Sequence, residues 1–129
     1  MKTILFVCVH NAGRSVMAEA FANATGGVRA LSAGTVPGGA PHPEVVTAMA
    51  EVGIDVSGHR GRLIDDELVR SADRVITMGC AVDEKACPAI FLKDVEDWGL
   101  PDPKGQPVEQ VRAIRDEVRR RVEALLASA

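Results

Sequence analysis

The chain has 129 residues, enough for one hydrophobic core and short of the size at which chains divide into several. With 47% hydrophobic residues, 26% charged residues and a formal net charge of −3, it reads as a folded soluble protein without the basic footprint of a nucleic-acid binder or of a protein held on an anionic membrane. No apolar run approaches the ~20 residues of a transmembrane helix and the first residues lack a signal-peptide layout, so the expectation is a cytoplasmic, single-domain protein over residues 1–129.

Residues 3–9 carry Ile4, Leu5, Phe6 and Val7 with no turn residue, which predicts a strand buried on both faces of a parallel sheet. Asn11 to Gly13 supply a turn. From Ser15, the residues Val16, Met17, Ala20 and Phe21 recur at helical spacing until Gly26 and Gly27 end the helix. Residues 28–33 predict a second strand closed by Gly34, and residues 35–43, rich in Gly and Pro, a loop. Residues 44–52 predict a helix with Val45, Met49 and Val52 on one face and Gly53 as its C-terminal stop. Residues 57–62 are polar and basic. A short helix is expected over 65–71, a third strand over 74–78, a fourth over 89–92, and a long loop over 95–105 around Trp98 and Asp102. Pro107 suits a first helical position. Val111, Ile114, Val118, Val122 and Leu125 then mark a long amphipathic terminal helix, on which Glu117 and Arg121 can pair across one turn.

Strands alternating with helices imply an α/β fold with a parallel sheet, right-handed crossovers and helices on both faces. Ligands in such sheets sit beyond the carboxyl ends of the strands. The stretch Cys8-Val9-His10-Asn11-Ala12-Gly13-Arg14-Ser15 falls there, between the first strand and the first helix. A free thiol ionises at ~8.5, so a cysteine needs help to act as a nucleophile at neutral pH. Backbone N–H groups of a tight turn and a helix N-terminus favour the thiolate, and the same donors bind a tetrahedral oxyanion. Arg14 adds a planar fork able to grip two oxygens. Gly13 allows backbone angles closed to other residues, Asn11 tolerates positive φ and can tie the loop, and Ser15 can donate to the sulfur. His10 reads as loop filler rather than a general base. No Gly-Lys-Ser/Thr follows, so this is not an ATP-type phosphate loop. Three cysteines, Cys8, Cys80 and Cys87, are too few and too odd in number for a disulfide framework and point to catalytic or redox thiols.

The Cys8–Ser15 stretch resembles the anion loop of the low-molecular-weight protein tyrosine phosphatase superfamily. Ser32-Ala33-Gly34-Thr35 and the late Asp102-Pro103 resemble that family's second signature and its general acid. The resemblance spans nearly the whole chain. It implies a four-stranded parallel sheet with flanking helices, Cys8 as nucleophile, residues Val9 to Ser15 as the oxyanion cradle, and Asp102 as proton donor to the leaving oxygen. The segment from Gly79 to Pro88 further resembles the redox segment of the thioredoxin-coupled arsenate reductases built on the phosphatase fold, as do Pro101 to Gly105 and the stretch Arg112 to Asp116. The chain contains no tyrosine, and the tyrosines that flank an aromatic substrate in many phosphatases are therefore missing.

That resemblance implies a relay. Cys8 attacks arsenate held by Arg14, Cys80 attacks Cys8 as arsenite leaves, Cys87 attacks Cys80, and the Cys80–Cys87 disulfide is reduced by an external thiol donor, thioredoxin, with no bound cofactor. Were residues 80–87 helical, their end Cα atoms would lie about 10 Å apart, beyond the ~7 Å a disulfide spans, so the segment must unwind on oxidation. Some reductases of the group carry a potassium site, for which Asn11, Glu19 and Ser32 are the counterparts here. The region that would complete it reads His59-Arg60-Gly61-Arg62 and is basic, so no metal is expected. These arginines either attract oxyanions or are solvated surface. The competing readings are a phosphatase using Cys8, Arg14 and Asp102, a reductase coupled to mycothiol through Cys8 alone, and an anion sensor without turnover.

Overall fold

Seven residues without a turn former, Lys2–Cys8, make the strand β1 on which the rest is laid. The structure is a computed structural model and describes residues 2–78, 95–101, 103 and 105–128. After β1 come α1 (Arg14–Thr25), β2 (Val28–Gly34), α2 (Pro43–Glu51), α3 (Asp66–Ser71), β3 (Arg74–Thr77), β4 (Val95–Asp97) and α4 (Val108–Ser128). The four strands form one sheet in the order β2-β1-β3-β4, and every neighbouring pair is parallel.

Because strand side chains alternate, β1 serves two cores at once. Ile4, Phe6 and Cys8 meet Val16, Met17 and Phe21 of α1, Val45 and Met49 of α2, and the stripe Val111, Ile114, Val118 and Val122 of α4. Leu5 and Val7 turn to the opposite face, toward Ala33, Ile64, Val75 and Val69 of α3. Helices therefore cover both faces, as the alternation of elements predicts. Phe6 is wholly buried and lies 5.7 Å, centroid to centroid, from Trp98 in a tilted pair. Burial of such a ring contributes about 1.5–3 kcal/mol.

Local signals set the boundaries. Gly26 and Gly27, at φ +84° and +82°, end α1. Pro43 opens α2 one residue ahead of the expected start, at a position where its missing N–H costs nothing. Asp65 caps α3 by accepting from the Leu68 N–H at 2.7 Å. The outer edge of β2 is closed by Asn23, whose amide donates to the Ala30 carbonyl and accepts from its N–H, mimicking a neighbouring strand. On α4 the expected Glu117–Arg121 pair forms at 2.8 Å. Among the described residues no helix is long and apolar enough to cross a membrane.

One expectation is corrected. Residues 95–97 were expected in a loop, yet Val95–Asp97 pairs with Val75–Thr77 as the edge strand β4. Its polar residues find partners across the ladder: Thr77 donates to Asp97 at 2.9 Å and Arg74 to Glu96 at 3.2 Å. Charge on an edge strand hides the apolar alternation by which strands are recognised. The strand expected over 89–92 lies outside the described residues.

Helices α2 and α4 are tied by Glu51, which accepts from Arg112 at 2.6 and 2.9 Å and from Arg115 at 2.8 Å. The Arg112 hydrogen bond above all, with that from Arg115, lowers the Glu51 carboxyl from 4.5 to about 2. A depressed carboxylate contributes stability above its ordinary pKa and loses it as pH falls toward the folded value. The thermal unfolding midpoint is expected to decline from about pH 4.5 toward pH 2, and Glu51→Gln is expected to flatten part of that decline. Solvent screens this exposed tie, so the difference between the two proteins should shrink in high salt.

Candidate active site

The central strand β1 delivers Cys8 to the carboxyl edge of the sheet, opposite Gly34 of β2, with only 3% of its surface exposed. The chain then bends through residues 9–13 into α1, whose first residue is Arg14. The loop is pinned from outside by its carbonyls. Val9 accepts from the N–H of Val36 at 2.8 Å, His10 from Gly38 at 2.9 Å, Ala12 from His42 at 2.9 Å, and Gly13 from Met17 at 3.0 Å. A trans peptide points its carbonyl and the following N–H in opposite directions. The N–H groups of His10, Asn11, Gly13 and Arg14 accordingly face away from these outer partners, beside the first turn of α1.

A hydrogen-bond network reaches the Cys8 sulfur. The Asn11 amide nitrogen donates to Ser15 Oγ at 2.9 Å, and Ser15 Oγ lies 2.9 Å from Cys8 Sγ. Once Cys8 is a thiolate, which cannot donate, the Ser15 hydroxyl is the group that donates across this contact. Such a bond stabilises a thiolate more than a thiol. Asn11 itself adopts φ +48°, as its place in the loop predicts, and its Oδ1 accepts from the Arg62 N–H at 3.0 Å and from His59 Nε2 at 3.2 Å.

Arg14 is buried, and its Nη1 donates to the carbonyls of Met78 at 3.1 Å and Leu100 at 2.7 Å. The guanidinium is thereby fixed at the mouth of the loop. Two glycines allow the close packing around it. A methyl at Gly34 would stand 2.5 Å from the Val9 oxygen and 2.9 Å from the Asn11 nitrogen. A methyl at Gly13 would stand 2.8 Å from Pro103 Cγ, so Gly13 is needed for this approach.

Cys8 ends β1, residues 9–13 form the turn, and Arg14 and Ser15 open α1, so these eight residues lie together at the carboxyl end of the sheet. His10 Nδ1 donates to the Val36 carbonyl at 3.1 Å, which makes it a tie of the rim, in keeping with its reading as filler. Cys80, Cys87 and Asp102, the other expected catalytic residues, lie outside the described residues. Leu100, before Asp102 in sequence, reaches Arg14, and Pro103, after it, packs beside Gly13. Arg60 is exposed and bonds the Ser57 and His59 carbonyls.

The expected counterparts of a potassium site do not fit that ion. A cation would need the Asn11 amide oxygen, but two N–H donors already occupy it. The second nitrogen of the His59 ring faces the Glu19 carboxylate at 3.5 Å. Ser32 Oγ is buried and has no hydrogen-bond partner among the described residues. His59 is a partner of the Asn11 side chain that sequence reasoning missed. It sits 48 positions from Asn11 among arginines, and the one available signal was a lone imidazole in a Gly-Arg-rich segment.

Residues 3–129 match the family described as low molecular weight phosphotyrosine protein phosphatase. A Synechocystis protein named a glutaredoxin arsenate reductase is 40% identical over 132 residues, covering 98% of each chain. A solved structure of an arsenate reductase in the phosphate binding state superposes with a TM-score of 0.87 at 39% identity, covering 99% of this chain and 98% of that one. A thioredoxin-dependent arsenate reductase of Corynebacterium glutamicum gives a TM-score of 0.81 at 35% identity, covering 99% of this chain and 61% of that one.

The direction of the Ser15 proton can be checked directly. Ser15→Ala is expected to slow alkylation of Cys8 by iodoacetamide at neutral pH by about tenfold, the worth of one charge-assisted hydrogen bond. The modified Cys8 peptide, followed by mass spectrometry, gives the rate. An unchanged rate would mean that the hydroxyl does not serve the sulfur.

Proposed function

Because this chain belongs to the low molecular weight phosphotyrosine protein phosphatase family, we propose that it turns the family's nucleophile loop to the reduction of arsenate. The observation that carries the reading is the buried Cys8 sulfur, hydrogen-bonded to Ser15 inside a loop of outward-pinned carbonyls with Arg14 fixed beside it. That arrangement suits a thiolate attack on a tetrahedral oxyanion. The choice of arsenate over a phosphate ester is supported by the relatives' names and by the two further cysteines in the sequence.

In the proposed reaction the Cys8 thiolate attacks arsenic(V) while Arg14 and the loop N–H groups neutralise the oxygens. Asp102 protonates the departing oxygen, which leaves as water, and an arsenic–sulfur bond remains. Leu100 and Pro103 at the loop support this role for the residue between them. Cys80 then attacks Cys8 Sγ. A sulfur–sulfur bond forms, the arsenic–sulfur bond breaks, and its electron pair goes to arsenic, which departs as arsenite. Cys87 attacks Cys80, releasing Cys8 as thiolate. The Cys80–Cys87 disulfide takes two electrons from an external dithiol. Thioredoxin, at about −270 mV, suits that step. One structural neighbour is named a thioredoxin-dependent arsenate reductase and one relative a glutaredoxin arsenate reductase, so a dithiol protein rather than a resident cofactor is the proposed electron source.

The family match favours a second reading, hydrolysis of a phosphate monoester through Cys8, Arg14 and Asp102. It leaves Cys80 and Cys87 without a task, as does a reductase coupled to mycothiol through Cys8 alone. The readings separate in one assay of arsenate-dependent NADPH consumption with thioredoxin and thioredoxin reductase, run beside hydrolysis of an aryl phosphate. Cys8→Ser is expected to abolish both activities. Cys80→Ser is expected to lower multiple-turnover arsenate reduction to background and to leave any aryl phosphatase activity intact. Undiminished reduction by Cys80→Ser would refute the relay, and arsenate-independent aryl phosphatase activity alone would favour the hydrolase.

A further inference from the structure

We propose that His42 is a positioning residue: with Pro103 its imidazole is packed on Gly13, and the ring thereby holds against the anion turn the segment that carries the proposed acid, Asp102. His42 acts here through Asp102, so its role rests on the reading of that residue as proton donor and is common to the reductase and the hydrolase.

The backbone beneath the ring is fixed from several sides. Pro41 and Pro43 flank His42 in sequence. A proline confines the residue before it to extended angles, and His42 accordingly adopts φ −60° and ψ +138°. Its N–H donates to the Ala12 carbonyl at 2.9 Å, and its own carbonyl accepts from the N–H groups of Val45 at 3.0 Å and Val46 at 3.1 Å. The main chain of His42 thus joins the anion turn to the start of α2. At such a helix-capping position Ser, Thr, Asp and Asn are favoured, because their side chains accept from the first turn. The His42 side chain makes no capping bond.

The ring is directed to Gly13 instead. A methyl built there would meet His42 Cδ2 at 3.3 Å and the Pro103 ring at 2.8 Å (Cγ) and 3.4 Å (Cδ). Imidazole and pyrrolidine therefore share the space over one Cα. The other two histidines are tied by hydrogen bonds, His10 to the Val36 carbonyl and His59 to Asn11. The His42 ring makes none among the described residues, so its contribution is shape. Pro103 is buried and His42 part-buried, which makes the imidazole the outer member of the pair. Truncating it opens a gap beside the proline, and a proline that shifts carries the residue before it. Misplacing a reacting group by about 1 Å can cost on the order of 100-fold in rate.

The test measures two rates in the wild type, His42→Asn, His42→Phe and Asp102→Asn. One is alkylation of Cys8 by iodoacetamide; the other is the first turnover on arsenate and on an aryl phosphate. His42→Asn gains a capping amide where it loses the ring, so it is expected to keep its thermal midpoint and its alkylation rate while the first turnover slows about tenfold. His42→Phe restores a flat ring without ring nitrogens and should recover to within about threefold of the wild type. Asp102→Asn is expected to be slowed about 100-fold, and adding His42→Asn to it should slow it no further, because a group acting through the acid has nothing left to place. Wild-type turnover in His42→Asn overturns the proposal. So does a phenylalanine variant as slow as the asparagine one, a parallel fall in alkylation, a pair of losses that multiply in the double variant, or a His42→Asn chain too unstable to fold, which would make the ring structural. If Asp102→Asn turns over like the wild type, or the wild type is inert toward both substrates, the reading of Asp102 falls and the role of His42 with it. If Asp102→Asn is slowed and the His42 variants are not, only the role of His42 falls.

Discussion

Everything around the Cys8 sulfur depends on where the Arg14 guanidinium is held. An arginine side chain is long, and left to solvent it would sample many rotamers at a cost of up to ~2 kcal/mol when ordered. In this fold the ordering is done in advance by two backbone carbonyls, those of Met78 after β3 and Leu100 after β4. Both belong to segments that run on from the carboxyl end of the sheet. Arg14 is the first residue of α1, so one side chain joins a helix start to the ends of two other strands. The same residues lead, two positions further on, to Cys80 and Asp102 in sequence. An interaction that positions the guanidinium therefore also anchors the chain entering both segments from which the remaining chemistry is proposed to come.

The loop is built with its polar groups assigned before any substrate arrives. Its carbonyls are occupied by N–H groups of residues 36–42 and by the first turn of α1, so that the loop's own donors are turned the other way. Preorganisation of this kind favours the charged transition state because no dipole has to turn when charge develops. It also explains why glycine stands at positions 13 and 34. The loop is held so closely against β2 and the Pro103 segment that a single methyl would meet backbone at Gly34 and the proline ring at Gly13. The function of these glycines is the space they leave, and for Gly34 in particular a side chain would push directly on Val9 and Asn11.

Much of this was legible in the residues alone, for reasons that can be named. β1 announced itself because a strand buried on both faces must be apolar throughout, and α1 and α4 because a helix against a sheet must repeat its apolar residues every three or four positions. The loop was legible because a thiol, a glycine and an arginine between a strand and a helix have few other reasons to occur together. β4 was not, since an edge strand of three residues with Glu96 and Asp97 carries no alternation, and its stability comes from Thr77 and Arg74 on another element. His59 escaped for a related reason. Its place beside the loop shows only in the contacts with Asn11 and Glu19, and no periodicity or motif connects residues so far apart in the chain.

Arsenate and phosphate share shape and charge, so a cradle of N–H donors and one guanidinium has little by which to tell them apart. Binding strength in such a site reads oxygen positions, and those are nearly common to the two ions. Discrimination must then fall on the step after the first attack. A thiol can pass two electrons to arsenic(V) and cannot do so to phosphorus(V), so a second sulfur near the first converts an indiscriminate cradle into a selective one. A single fold can on these terms serve hydrolysis or reduction with the same loop. What separates the two outcomes is whether water or a neighbouring thiol reaches the intermediate held on Cys8. The loop described here is compatible with either, and the reductase reading accordingly rests on the two added cysteines and on the resemblance to named reductases, while the geometry of Cys8, Ser15 and Arg14 accounts for the attack that both reactions share.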